Sequence, residues 1–136
     1  MKRNLALIIL LNTQKEFLLQ LRDKNASIAP SIWAFFGGGI ENGETPETAL
    51  FREIKEELEY KPLNPKLFLA QEYVFGSNTG TKYVFIDKYD PSQKLYQHEG
   101  EDMGWFSHEE SKKLDMADYD RIILKKLAEA VDSSRS

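Results

Sequence analysis

The chain has 136 residues, of which 41% are hydrophobic and 12% aromatic, enough for one domain with its own core. A formal net charge of −4 and the lack of any Lys/Arg-rich run argue against long nucleic acid as a partner. Without a single cysteine, disulfides, zinc–thiolate sites and cysteine nucleophiles are excluded, a usage compatible with a cytoplasmic protein.

Lys2-Arg3 ahead of the apolar run Leu5 to Leu11 has the outline of a minimal secretion signal. The run is short and no small-x-small cleavage site follows, so a strand buried on both faces accounts for it better. No run is long enough to span a membrane. The first strand is predicted from Arg3 to Leu11 and a second from Phe17 to Arg22, across a loop at Asn12–Lys15. Asp23 to Ser31 is polar and turn-rich, with Pro30 inside, and reads as a substrate-side loop. Trp33 to Phe36 is a short strand leading into Gly37, Gly38 and Gly39, which introduce a loop.

Thr45 and Pro46 supply an N-cap and a first helical position. Pro62 cannot continue a helix, so the helix is expected from Pro46 to Glu59. Leu50, Phe51, Ile54 and Leu58 form its apolar stripe, and Glu53, Glu56 and Glu57 share the neighbouring face. Clustered like charges at i,i+3 and i,i+4 cost about 0.2–0.5 kcal/mol per pair unless a cation binds there. All-oxygen ligation suits Mg²⁺, Mn²⁺ or Ca²⁺, and Mg²⁺ commonly shares its shell with substrate phosphates.

Strands are expected at Leu67 to Phe75 and Lys82 to Tyr89, joined through the segment Gly76 to Gly80. After a turn at Asp90-Pro91-Ser92, short strands are expected at Lys94 to Gln97 and Met103 to Phe106, the second following the acidic run Glu99 to Asp102. Ser107 and Glu110 form a capping box. Asp118 to Val131 is an amphipathic helix with Ile122, Ile123, Leu127 and Val131 on its apolar side, and residues 132–136 are a frayed tail. Strands interleaved with a central and a terminal helix place the chain in the α/β class, a mixed sheet covered on both faces.

Gly38, Glu44, Arg52, Glu53, Ile54, Glu56 and Glu57 stand in the order G, five residues, E, seven residues, R-E-apolar-x-E-E. This is the Nudix box, and the chain resembles a Nudix hydrolase of the compact MutT type. The resemblance implies the Nudix fold over residues 1–136, a mixed sheet between helices (α/β/α). It also implies a divalent-metal-dependent pyrophosphohydrolase that cleaves a nucleoside diphosphate linked to a group X, foremost a nucleoside triphosphate, ordinary or oxidised. Nucleotide sugars, ADP-ribose and dinucleoside polyphosphates are the alternative substrates, and a non-catalytic nucleotide-binding module is the alternative class. The isomerase branch of the fold uses a catalytic cysteine, which this chain lacks.

Carried onto this sequence, the resemblance makes Glu53, Glu56 and Glu57 the ligands of Mg²⁺ or Mn²⁺, with backbone ligation near Gly38. Arg52 orients the glutamates, and Glu44 supports the box through Arg52. Gly37, Gly38 and Gly39 admit phosphate. The general base is Glu53, or Glu99 or Glu101 from the downstream loop. Arg22 reaches phosphate or ribose, Phe75 with Trp33, Phe35, Tyr73 and Tyr83 offers a stacking wall, and Asp118 or Asp120 meets the base, with capping as the competing role. His98 and His108 are surface residues. The partner is a small nucleotide, the assembly a monomer or homodimer. Two positions depart from the family pattern: Glu59 where a helix-ending glycine is usual, and Phe36 where proline is frequent.

Overall fold

The computed structural model describes residues 2–26 and 31–133, the side chains of 132 and 133 excepted. Leu5–Leu11 (β1) is the spine, and the β period of two divides it cleanly. Ala6, Ile8 and Leu10 face one core, Leu7 and Ile9 the other. The first core is closed by Pro46–Leu58 (α1) through Ala49, Leu50, Ile54 and Leu58. The second is closed by Asp118–Ser133 (α3) through Ile123, Leu124 and Leu127. Each such aliphatic side chain contributes about 1.5–3 kcal/mol by leaving water. The result is the expected α/β/α sandwich.

Among the described residues seven strands join one mixed sheet. Phe17–Leu21 (β2) and Phe36–Gly39 (β4) pair antiparallel with β1, and Trp33–Ala34 (β3) pairs with β2. Lys66–Phe75 (β5) and Asn78–Lys88 (β6) form a hairpin, β6 running parallel to β1 with Leu5 opposite Lys82. Asp102–Phe106 (β7) pairs with β2 and leads into the short helix His108–Ser111 (α2), whose capping box at Ser107 and Glu110 is complete.

Four elements differ from expectation. The glycines are not a loop: Gly37, Gly38 and Gly39 continue β4 against Leu7, Ala6 and Leu5. The β5–β6 connection is only Gly76 and Ser77, because Asn78 already pairs with Phe75, and Gly76 supplies the positive φ of 60° that a tight hairpin requires. Lys94 to Gln97 is no strand; the N–H of Tyr96 goes to the carbonyl of Leu58 at 3.0 Å. Helix α3 continues to Ser133, past the predicted end at Val131, while 134–136 and the loop residues 27–30 lie outside the described residues. Two residues also leave their predicted faces: Phe51 is 36% exposed and Ile122 51% exposed.

Both departures from the family pattern acquire a physical account. Phe36 is fully buried in the α1-side core, so it packs the sheet rather than shaping the substrate loop. Glu59 ends α1 in the left-handed conformation all the same, at φ 51° and ψ 38°, with its N–H on the carbonyl of Lys55. That geometry costs a residue with a Cβ about 1–2 kcal/mol.

Candidate active site

Thr45 starts α1 by accepting the N–H of Thr48 at 3.1 Å, which fixes the helix phase just ahead of the box carboxylates. Arg52, one residue before Glu53, ties three segments together. Its Nε and Nη2 donate to the two carboxylate oxygens of Glu44, both at 2.8 Å. Its Nη1 donates to Glu53 at 2.9 Å, and Nη2 also donates to the carbonyl of Gly39 at 3.0 Å. The forked guanidinium suits this bidentate task, which a lysine would perform poorly. Glu44 further accepts the N–H of Glu41 at 2.9 Å. The Arg52 guanidinium, then that N–H, hold the Glu44 carboxyl down at about 2. Reciprocally, Glu44 drives the Arg52 pKa upward.

Glu57 sits in the opposite environment. It is 2% exposed; one oxygen accepts the N–H of Gly37 at 3.2 Å, and the other has no hydrogen-bond partner among the described residues. Burial first, then the negative charge of Glu99 and the neighbouring Glu53, push its carboxyl up to about 10. Glu53 presses on Gly38 so closely that a Cβ there would lie 2.5 Å from the carboxyl carbon. Glycine at 38 thus leaves room for that carboxylate, and a side chain there would displace it.

As they stand, no three acidic or histidine side chains among the described residues converge on one point. The donor set nonetheless fits a divalent cation. An orphaned carboxylate oxygen on Glu57, a second carboxylate on Glu53 and the mainly exposed Glu56 share one face of α1, and all offer hard oxygen. A cation there would relieve the charge that raises Glu57.

Of the α1 carboxylates, Glu53 opens on a cavity of about 430 Å³ on the α3 side of the sheet, and Glu56 and Glu57 are not among its lining residues. Gly37, Gly38, Glu53, Glu99, Arg22 and Phe75 line it, so these expected residues meet at one place. Phe35 and Tyr73 join them, while Trp33 packs edge-on against Phe106 and Tyr83 packs against the α1-side core. Gly39, Glu101 and Asp118 are not among the lining residues. Glu101 instead accepts the N–H of Lys24 at 3.1 Å, and Asp118 is exposed. Its neighbour Asp120 takes the place expected of Asp118: it is 4% exposed, lines the cavity and receives Lys82 Nζ at 3.2 Å. Burial raises the Asp120 carboxyl, and Lys82 opposes that rise.

Arg3, Lys82 and Tyr119 also line the cavity and were not singled out in the sequence. The signal for Lys82 was the polar start it gives to an apolar strand. Its position follows from the parallel register with Leu5, which one sequence does not display. Lys82 Nζ lies 5.4 Å from the Tyr73 ring and 5.9 Å from the Tyr119 ring, a cation held between aromatic faces.

A helix-borne carboxylate face with Glu53 on a nucleotide-sized cavity that has cationic and aromatic walls suits the hydrolysis of phosphoanhydrides. The NUDIX domain model matches residues 1–127. The chain is 31% identical over 117 residues to "Nucleoside triphosphatase NudI" of Enterobacter sp. (strain 638), covering 78% of this chain and 83% of that protein. It is 35% identical over 85 residues to "8-oxo-dGTP diphosphatase" of Escherichia coli (strain K12), covering 62% and 65%. Among solved structures, the MutT protein from Methanosarcina mazei Go1 superposes with a TM-score of 0.84 at 18% identity, covering 95% and 94% of the two chains, a likeness of fold. The chain belongs to the Nudix family and is a pyrophosphohydrolase.

Proposed function

We propose that the protein hydrolyses a nucleoside triphosphate, ordinary or oxidised, to the monophosphate and pyrophosphate with Mg²⁺ or Mn²⁺, in the cytoplasm. The observation that carries this reading is the buried Glu57 oxygen without a hydrogen-bond partner among the described residues, one helical turn from Glu53, which lines a one-nucleotide cavity. The names of the two relatives, a nucleoside triphosphatase and an 8-oxo-dGTP diphosphatase, support the choice of substrate class.

Glu53, Glu56 and Glu57 would hold the cation, with the Gly37–Gly38 backbone alongside. When bound, it supplies charge neutralisation on the phosphates and a more acidic water. Arg52 keeps Glu53 at its station through the 2.9 Å bond. Glu99 is the general base that the geometry favours over Glu101, because Glu99 lines the cavity and Glu101 is engaged with Lys24. It takes the proton from water as the water attacks phosphorus and pyrophosphate departs. Arg22 meets the phosphate chain, Phe75 stacks on the base, and the Asp120–Lys82 pair offers an acceptor and a donor to the base edge.

The test is product release with Mg²⁺ and with Mn²⁺ across nucleoside triphosphates, oxidised nucleoside triphosphates, nucleotide sugars, ADP-ribose and dinucleoside polyphosphates, with Glu57→Gln as control. Preferential cleavage of a triphosphate, lost in the control, is expected. A preference for a nucleotide sugar or ADP-ribose would overturn the substrate, and no metal-dependent hydrolysis at all would overturn the enzyme reading.

A further inference from the structure

Four observations meet at the C-terminal end of α1. Glu59 occupies the left-handed position that glycine fills without strain. Its carboxylate accepts from Nε2 of His98, and both side chains are about half exposed, 53% for Glu59 and 52% for His98. An exposed pair of that kind adds little to stability, so the contact does not account for tolerating the strained backbone. The loop that carries His98 docks on carbonyls the helix leaves unpaired: Tyr96 N–H donates to Leu58 at 3.0 Å and His98 N–H to Glu57 at 2.8 Å. On its far side the loop is tied to β2, where Glu101 N–H donates to Leu21 at 2.9 Å. Glu99 stands between these anchors, its carbonyl accepting Nε2 of Gln97 at 2.9 Å, and it lines the cavity close enough for its charge to bear on Glu57.

We propose that Glu59 and His98 form a latch that positions Glu99 over the reacting centre, so that residue 59 acts on catalysis through the downstream loop rather than as a helix cap. This rests on the reading of Glu99 as the base. Both are positioning residues: neither lines the cavity. The backbone bonds at residues 96 and 98 set how far the loop lies from the helix end. The ring of His98, held by Glu59, stops the loop from sliding across it. A glycine at 59 keeps the left-handed cap and its N–H bond but removes the hook, which separates stability from position.

The experiment compares Glu59→Gly, Glu59→Gln, His98→Ala, Glu99→Gln and the double variant Glu59→Gly/His98→Ala on the substrate that the panel identifies. In Glu59→Gly, kcat is expected to fall roughly 10-fold with KM unchanged, because small displacements of a reacting group are costly. Its Tm should hold or rise, since strain is relieved. Glu59→Gln, whose amide oxygen still accepts from His98, should recover most of the rate. The double variant should be no slower than either single one, as expected of two halves of one device.

A kcat for Glu59→Gly and His98→Ala equal to wild type, with Glu99→Gln slow, overturns the latch and leaves Glu99 as base. Wild-type kcat in Glu99→Gln overturns both. A fall in kcat together with a fall in Tm assigns Glu59 a structural role and also overturns the latch. Amide exchange at Glu99 to Glu101 in the metal-free chain is a readout that needs no turnover: faster exchange in Glu59→Gly supports the latch, and unchanged exchange removes it.

Discussion

Glu44 and Glu57 flank the same helix, one just before it and one in its last turn, and they are driven in opposite directions. Glu44 accepts three hydrogen bonds, two from Arg52 and one from the Glu41 backbone, and is held at about 2. Among the described residues Glu57 accepts one and keeps an oxygen without a partner, and it is pushed up to about 10. The residue type is identical, so environment alone assigns the roles. Glu44 is a satisfied strut whose charge is already compensated, and Glu57 is a group whose charge awaits compensation by something that binds. A deletion at each should therefore hurt different things.

The largest effect is expected at the uncompensated end. Glu57→Gln should lower kcat by about 10²-fold or more while leaving the metal-free protein at least as stable as wild type at neutral pH, measured by steady-state kinetics and calorimetry. Near-native turnover at saturating Mg²⁺ would mean that Glu57 is not a ligand. Arg52→Ala should come next, with kcat down roughly 10- to 100-fold and a lower Tm, because it frees Glu53 and Glu44 together. Unchanged kinetics would show that the glutamates hold their places without it.

The pH dependence of stability distinguishes the two acids by sign. In the metal-free protein the contribution of Glu57, raised from 4.5 to about 10, is full below 4.5 and lost as pH rises through about 10. That of Glu44, lowered from 4.5 to about 2, is full above 4.5 and lost as pH falls through about 2. Glu57→Gln should flatten the alkaline limb of a Tm–pH profile and Glu44→Gln the acid limb; any other assignment of limbs would break the comparison. The smallest effect on rate is expected from Glu44→Gln, a few-fold in kcat, since Arg52 keeps its bond to Glu53. A loss as large as that of Glu57→Gln would place Glu44 in the chemistry.

The helix, its N-cap at Thr45 and the carboxylate face were legible because they depend on neighbours within two turns. Failures came where distant partners decide. Gly37 to Gly39 read as loop by propensity, yet pairing with β1 makes them a strand, and Gly37 must be glycine because a Cβ would lie 2.1 Å from the Ala6 carbonyl. Phe51 fits the stripe by angle, yet in the fold it stays 36% exposed. Lys94 to Gln97 has strand-like residues, but the N–H of Tyr96 is taken by the end of α1 instead. Asp118 and Asp120 are indistinguishable as helix-start acids until Lys82 of β6, brought beside β1 by the parallel register, selects Asp120. The cavity is the sum of such choices.

The burial of β1 on both faces also governs how the protein is made. Leu5–Leu11 is synthesised well before its parallel partner β6, which ends at Lys88, and its second covering helix, which begins at Asp118. At about 5–20 residues per second, the most apolar strand waits several seconds for its neighbours. During that interval its β6-side edge and its α3-side face stay uncovered, although β2, β4 and α1 are already made, and chains interrupted before α3 keep that face open. Yield in cells should thus respond to translation speed and to chaperone supply.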